Sequence, residues 1–179
     1  MEILPHLKRL AFIGGVARKG IENVGSPYTE DLEEKATIAA GTPGFTWQQF
    51  TAVNANDFDE IFARLASQHF DAAYILGQPL TNQNGRRITE LAQRHRIPAI
   101  GDSSGWAKGG LLLGYGQDYS WNNVRLAEYL DKLLRGAKPS DLPVQQATNL
   151  ELGINLKTAK ELGLTVPPSL IARADEVFE

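Results

Sequence analysis

The chain has 179 residues, a formal net charge of −3 and a pI near 5.7. It therefore carries no basic field of the kind that nucleic-acid binding by counterion release demands, and it is long enough for one packed domain with at most a short excursion into another. There is no cysteine and there are only three scattered histidines, which excludes disulfide staples, iron–sulfur clusters and cysteine-ligated zinc, and no metal or cofactor is expected.

The first nine residues, Met1 to Arg9, lack the basic, apolar and small-residue series of a signal peptide, and no run of about 18 apolar residues follows. Leu10 to Ile13 reads as a buried strand ending in a turn at Gly14 and Gly15. Ser26 and Pro27 then supply an N-cap and first helical residue, Glu30 and Asp31 suit the positive end of the dipole, and Gly41 is a stop. Phe45 to Val53 is a second strand. The helix after it opens with Asp57 and Glu60 at capping-box spacing and turns Phe58, Ile61, Phe62 and Leu65 to one side. Ala72 to Leu76 is a third strand, broken at Gly77, Gln78 and Pro79, and Ile88, Leu91 and Ala92 mark the next helix. Ala99 to Gly101 is a brief fourth strand whose exit carries Asp102, Ser103 and Ser104, and Leu111 to Leu113 makes a fifth.

From Asp118, an N-cap, Trp121, Val124, Ala127, Leu130 and Leu134 recur at helical spacing as far as Gly136, with Pro139 beyond. Pro143 to Val144 and Leu150 to Ile154 are further strand candidates. Asn155 to Leu162 is a short helix stopped by Gly163, and Pro167 and Pro168 begin an irregular tail. Strands alternating with helices predict an α/β fold, a mostly parallel sheet with helices on both faces, whose ligands meet the loops at the C-terminal strand ends. Those exits are Gly14 to Ala17, Gly77 to Gln78, Gly101 to Ser104 and Gly114 to Gln117.

Catalytic arrangements find little support. There is no Walker loop, no G-x-G-x-x-G and no H-E-x-x-H. Gly14 and Gly15 with Arg18 and Lys19 suggest a phosphate cradle, but the helix start lies many residues later, where an anion site needs it at the loop. His95 sits near a helix C-terminus and reads as a surface residue, His6 and His69 have no metal-ligand pattern around them, and Ser103 has no base in its local sequence. The exits instead carry Gln78, Asp102, Ser103, Tyr115, Gln117 and Tyr119, a composition suited to a binding cleft in which a few polar groups orient a ligand and rings cover it. Asp102 and Ser103 read equally well as caps of the helix running through Trp106.

The segment Gly109 to Gly116, the long helix after it, Leu134 to Val144, and the ending Asn155 to Leu170 with Ala172 to Val177 resemble the ABC-transporter substrate-binding family that includes tryptophan- and other aromatic amino acid-binding members. Leu4 to Ile13 is similar to that family's lead into its second lobe. The exits Gly14 to Gly20 and Gly77 to Pro79 depart from the family's Asn-Pro and Asp-Asn turns. The resemblance implies one lobe of a type I periplasmic binding protein-like fold. Residues 1–116 would be the second lobe, 117–148 a crossover helix and strand belonging to a first lobe outside this sequence, and 149–179 a closing strand, short helix and tail. It further implies a non-enzymatic, periplasmic or lipid-anchored receptor, with a small amino acid-like solute as ligand and an ABC permease as partner. Asp102 and Tyr119 fall where family members line the cleft. An effector-sensing domain of a regulator and a small α/β enzyme are the alternatives, since the fold alone does not choose. The apolar face of the long helix demands cover, so the chain is expected to pair with a second copy or to fold that helix onto its own sheet, pairing being the favoured outcome.

Overall fold

The computed structural model describes residues 3–15, 45–145 and 149–179. The expected helix from Ser26 to Gly41 and the Arg18 and Lys19 positions lie outside them. Among the described residues the strands are β1 (Arg9–Gly15), β2 (Thr46–Ala52), β3 (Ala72–Ile75), β4 (Ala99–Gly101), β5 (Leu113–Gln117), β6 (Leu150–Asn155) and β7 (Glu176–Phe178). They form a single sheet in the order β2-β1-β3-β4-β5-β6-β7. Pairing is parallel except between β5 and β6. The helices are α1 (Asp57–Ser67), α2 (Pro79–Gln83), α3 (Gly85–Arg94), α4 (Ser104–Lys108), α5 (Tyr119–Leu134), α6 (Leu156–Leu162) and α7 (Pro168–Ile171).

The main core forms where α1 and α3 cover one sheet face. Phe58, Ile61, Phe62 and Leu65 of α1, at the predicted helical spacing, meet Ile88, Leu91 and Ala92 of α3 over Ala11, Ile13, Ala73, Ile75 and Ala99 of the sheet. A second cluster joins Ile3, Leu112 and Ile154 to Ala159 and Val166, with α7 packed against it through Leu170 and Ile171.

Register explains how α4 fits beside this core. Phe50, Ile13, Ile75, Gly101, Gly114 and Gly153 are successive partners across six strands, so one row changes from large apolar side chains to three glycines. The glycine half is where α4 lies. A Cβ on Gly101 would sit 2.2 Å from Trp106 Cγ, one on Gly114 1.9 Å from the Ser103 carbonyl oxygen, and one on Gly153 3.1 Å from Ser104 Cα. The short helix and its lead thus press directly on sheet backbone.

Several expectations are corrected. The fifth strand is Leu113–Gln117, not Leu111–Leu113; Leu111 and Leu112 are its buried approach. Gly114 and Gly116 look like turn residues, yet they pair within the strand, and Ser103 and Asp102 backbone leaves no room there for a Cβ. Tyr115 and Gln117 therefore lie within β5 rather than in a loop beyond it. Asp57 makes no capping box. It is the first residue of α1 and its carboxylate reaches back to the N–H groups of Val53 at 2.7 Å and Asn54 at 3.0 Å, which lower its pKa below the usual carboxylate value. Pro143 and Val144 join no strand, and Val144 is fully exposed. The supposedly irregular tail contains α7 and β7; Asp175 prepares that edge strand by accepting the Leu152 N–H at 2.8 Å. A three-residue edge strand has too little periodicity to announce itself.

Helix α5 begins where the sequence places it, with Asp118 accepting the N–H groups of Ser120 at 2.8 Å and Trp121 at 3.0 Å. None of its residues is buried, and Val124, Leu126 and Leu130 are each at least half exposed. Folding back onto its own sheet is therefore not how this helix covers its apolar side chains. No helix among the described residues is long and apolar enough to cross a membrane.

Candidate functional site

Because β1, β3 and β4 run parallel, their chains leave the sheet at one edge. The side chain of Gln78, just after β3, reaches across to the end of β1, where its Oε1 accepts the Gly15 N–H at 2.6 Å. A Cβ on Gly14 would come within 2.8 Å of the same oxygen. Gln78 is also the N-cap residue of α2, its N–H donating to Thr81 Oγ1 at 2.9 Å, with Pro79 as the first helical residue. The break after β3 is thus the start of a short helix that fixes Gln78.

Asp102 follows β4 and meets the β3 exit directly. Its Oδ2 lies where a Cβ on Gly77 would approach to 1.8 Å, and its Oδ1 accepts Trp106 Nε1–H at 3.0 Å. Its backbone carbonyl in turn crowds Gly116 of β5. Tyr74 lies within electrostatic reach of both Asp102 and Tyr119. Burial pushes its hydroxyl pKa above the ordinary value, and the charges of Asp102 and Tyr119 push it further the same way. Gln78 and Asp102 are in this way brought to one edge, with Tyr74 within electrostatic reach of Asp102 and of Tyr119.

The other three expected residues are placed differently. Ser103 holds the N-cap position of α4 in an extended conformation, but no side-chain hydrogen bond caps the helix; nor does Asp102 act as a cap, since it takes the indole instead. Ser103 lines a groove of about 420 Å³ on the helical side of the sheet, shared with Arg86 and Thr89 of α3 and Trp106 of α4. Tyr115 alternates with Gly114 and Gly116 and so points to the opposite sheet face from α4, where it is 54% exposed. Gln117 ends β5, its Oε1 accepting from Asn122 Nδ2 at 3.3 Å, which ties the strand to the first turn of α5.

Tyr74 and Trp106 were missed as site residues. The signal for Tyr74 was a lone polar atom within the apolar run Ala72 to Leu76, and for Trp106 its place four residues after Asp102, one helical turn away. Among the described residues, no group of three or more His, Asp or Glu is gathered for a metal.

A family model described as ABC transporter substrate binding protein matches residues 4–178. Among solved structures, a conserved domain protein from Vibrio cholerae is 26% identical at a TM-score of 0.80, over 98% of this chain and 56% of that one. An ABC domain from Streptococcus pneumonia, in complex with L-Trp, is 22% identical at a TM-score of 0.81, over 99% of this chain and 57% of that one. The ligand-free, open structure of a substrate binding protein with adhesive properties from Clostridium difficile is 19% identical at a TM-score of 0.65, over 98% of this chain and 56% of that one. The chain thus spans little more than half the length of these structures, and the latter two likenesses concern the fold. No curated protein sequence matches it.

Proposed function

The chain belongs to the ABC transporter substrate binding protein family, and on that premise we propose that it is the solute-binding component of an ABC transporter, contributing one lobe of a two-lobed receptor. The observation that carries this reading is the gathering of the β1, β3 and β4 exits, where Gln78 reaches Gly15 and the Asp102 carboxylate lies against Gly77, with Tyr74 within electrostatic reach of Asp102 and of Tyr119. A carboxylate accepts hydrogen bonds and favours a cationic or donor-rich group, while tyrosine rings offer flat apolar area with a polar tip. An amino acid or a similar small polar or aromatic solute fits that pairing. The neighbour holding L-Trp supports the choice without extending its ligand to this chain.

Residues 1–116 would form the second lobe, 117–148 would cross toward a first lobe, and 149–179 would return. The bare face of α5 supports the crossing segment, and β6 and β7 completing the sheet support the return. An ABC permease as partner, an extracytoplasmic, periplasmic or lipid-anchored location, and self-association of the chain belong to the same reading. Gln78, Asp102 and Tyr119 would contact solute from the strand exits, with Gln117 at its margin, whereas Ser103 and Tyr115 face opposite sides of the sheet.

Calorimetric titration of the 179-residue chain with the common L-amino acids tests the proposal. Saturable binding that Asp102→Asn weakens by about tenfold or more is expected, the size of one hydrogen bond to a charged group. Saturation by no amino acid, or affinity indifferent to Asp102→Asn, would refute it.

A further inference from the structure

We propose that Trp106 is a positioning residue that fixes the orientation of the Asp102 carboxylate at the strand-exit edge; the functional weight of this proposal rests on the solute-binding reading above. Trp106 is only 8% exposed, and a buried indole N–H needs an acceptor. It finds Asp102 Oδ1 at 3.0 Å, a charge-assisted hydrogen bond.

Two glycines make this geometry available. Gly101 leaves the end of β4 bare, so that the indole lies directly on it; a Cβ there would stand 2.2 Å from Cγ and 2.3 Å from Cδ1 of Trp106. Gly77 leaves the β3 exit bare in the same way, so that the carboxylate lies against backbone, 1.8 Å from where a Cβ would be. The carboxylate is therefore held from the α4 side by a directed bond and confined on the other by the neighbouring strand exit. With Oδ1 engaged, the lone pairs that remain have a set direction before any solute arrives. Preorganisation of this kind strengthens binding because the orienting cost is met during folding.

The chain contains three tryptophans, Trp47, Trp106 and Trp121, so the indole N–H of Trp106 can be identified in a nitrogen–proton correlation spectrum as the resonance lost in Trp106→Phe. Asp102→Asn is expected to move that resonance while leaving the Trp47 resonance in place. An unmoved Trp106 resonance would overturn the proposal whether or not any solute binds. Titration with L-tryptophan then supplies the functional arm. Trp106→Phe, which keeps a ring and removes the donor, is expected to weaken affinity by roughly tenfold in the native chain and by less than about twofold in the Asp102→Asn background. Equal losses in both backgrounds would assign Trp106 a packing role alone and overturn the proposal. If the native chain binds neither L-tryptophan nor any other L-amino acid, the solute reading falls, and the shift of the indole resonance by itself decides whether Trp106 orients Asp102.

Discussion

Gly114 and Gly77 have the same composition and opposite liabilities. A Cβ on Gly114 would sit 1.9 Å from a backbone carbonyl oxygen, which cannot swing aside, whereas one on Gly77 would meet the end of the Asp102 side chain. Gly114→Ala should therefore cost about 3 kcal/mol, at the upper end of overpacking, while Gly77→Ala costs about 1 kcal/mol and displaces the carboxylate. Urea midpoints of the two variants check the difference, and the Trp106 indole resonance reports the displacement. Tyr74 provides a test by pH. Its folded pKa is raised above 10.0, so its contribution to stability is complete below that value and is lost as pH climbs from there through the folded pKa. In the folded chain the absorbance change assigned to Tyr74, by difference from Tyr74→Phe, should appear only at alkaline pH above that ordinary midpoint. A change centred at or below it would contradict the burial and the nearby charges.

Five of the seven helices among the described residues end by one rule. After α1, α3, α4, α5 and α6 the chain turns left-handed at His69, Arg96, Gly110, Gly136 and Gly163 in turn. In each case the next N–H closes back over the last turn: Phe70 to Leu65, Ile97 to Ala92, Leu111 to Trp106, Ala137 to Lys132, and Leu164 to Ala159. Three of these stops are glycine and two carry side chains at φ near +55°, a conformation that a Cβ penalises. Arg96→Gly should accordingly stabilise the fold by about 0.5–1 kcal/mol, after allowance for the freer unfolded chain. A lower denaturation midpoint for that variant would count against this account of the turn. Helix α5 is stabilised chiefly from within, having no buried residue, so its N-cap matters more than usual. Asp118→Ala should cost about 1 kcal/mol of helix stability, and the amides of α5 should exchange with deuterium well before those of α1 and α3.

At the scale of the whole molecule the apolar surface of α5 is the unresolved demand on the fold. Val124, Leu126 and Leu130 are 60%, 58% and 51% exposed, and Leu134 is 88% exposed. Covering each large side chain fully is worth roughly 1.5–3 kcal/mol, so a surface able to do so gains several kcal/mol. In the two-lobed receptor proposed above a first lobe would provide that cover; between chains of these 179 residues a second copy would. Light scattering at micromolar concentration should show a pair for the native chain and a monomer for the variant carrying Leu130→Glu and Leu134→Glu, with the ellipticity of the sheet unchanged. A native chain that stays monomeric would contradict the pairing.

Much of this was legible in the sequence, for reasons that are local. The apolar spacing of α1, the Asp118 cap and the stops at Gly136 and Gly163 are statements about one or two turns of chain, and composition within that range decides them. Alternation of strands and helices likewise dictated a mostly parallel α/β sheet, and the closing segment pointed to the family. What the tertiary structure decided depended on residues far apart. Gly114 and Gly116 are strand because they pair with β4 and β6, and glycine because the chain at Asp102 and Ser103 lies against them, while β7 formed only because β6 offers it an edge. Tyr74 and Trp106 joined the site through partners 28 and four residues away, as neighbouring strand ends and one helical turn brought them to Asp102. Single-chain periodicity records which face of an element is buried; it does not record which element lies opposite, and close approach between backbones is set there.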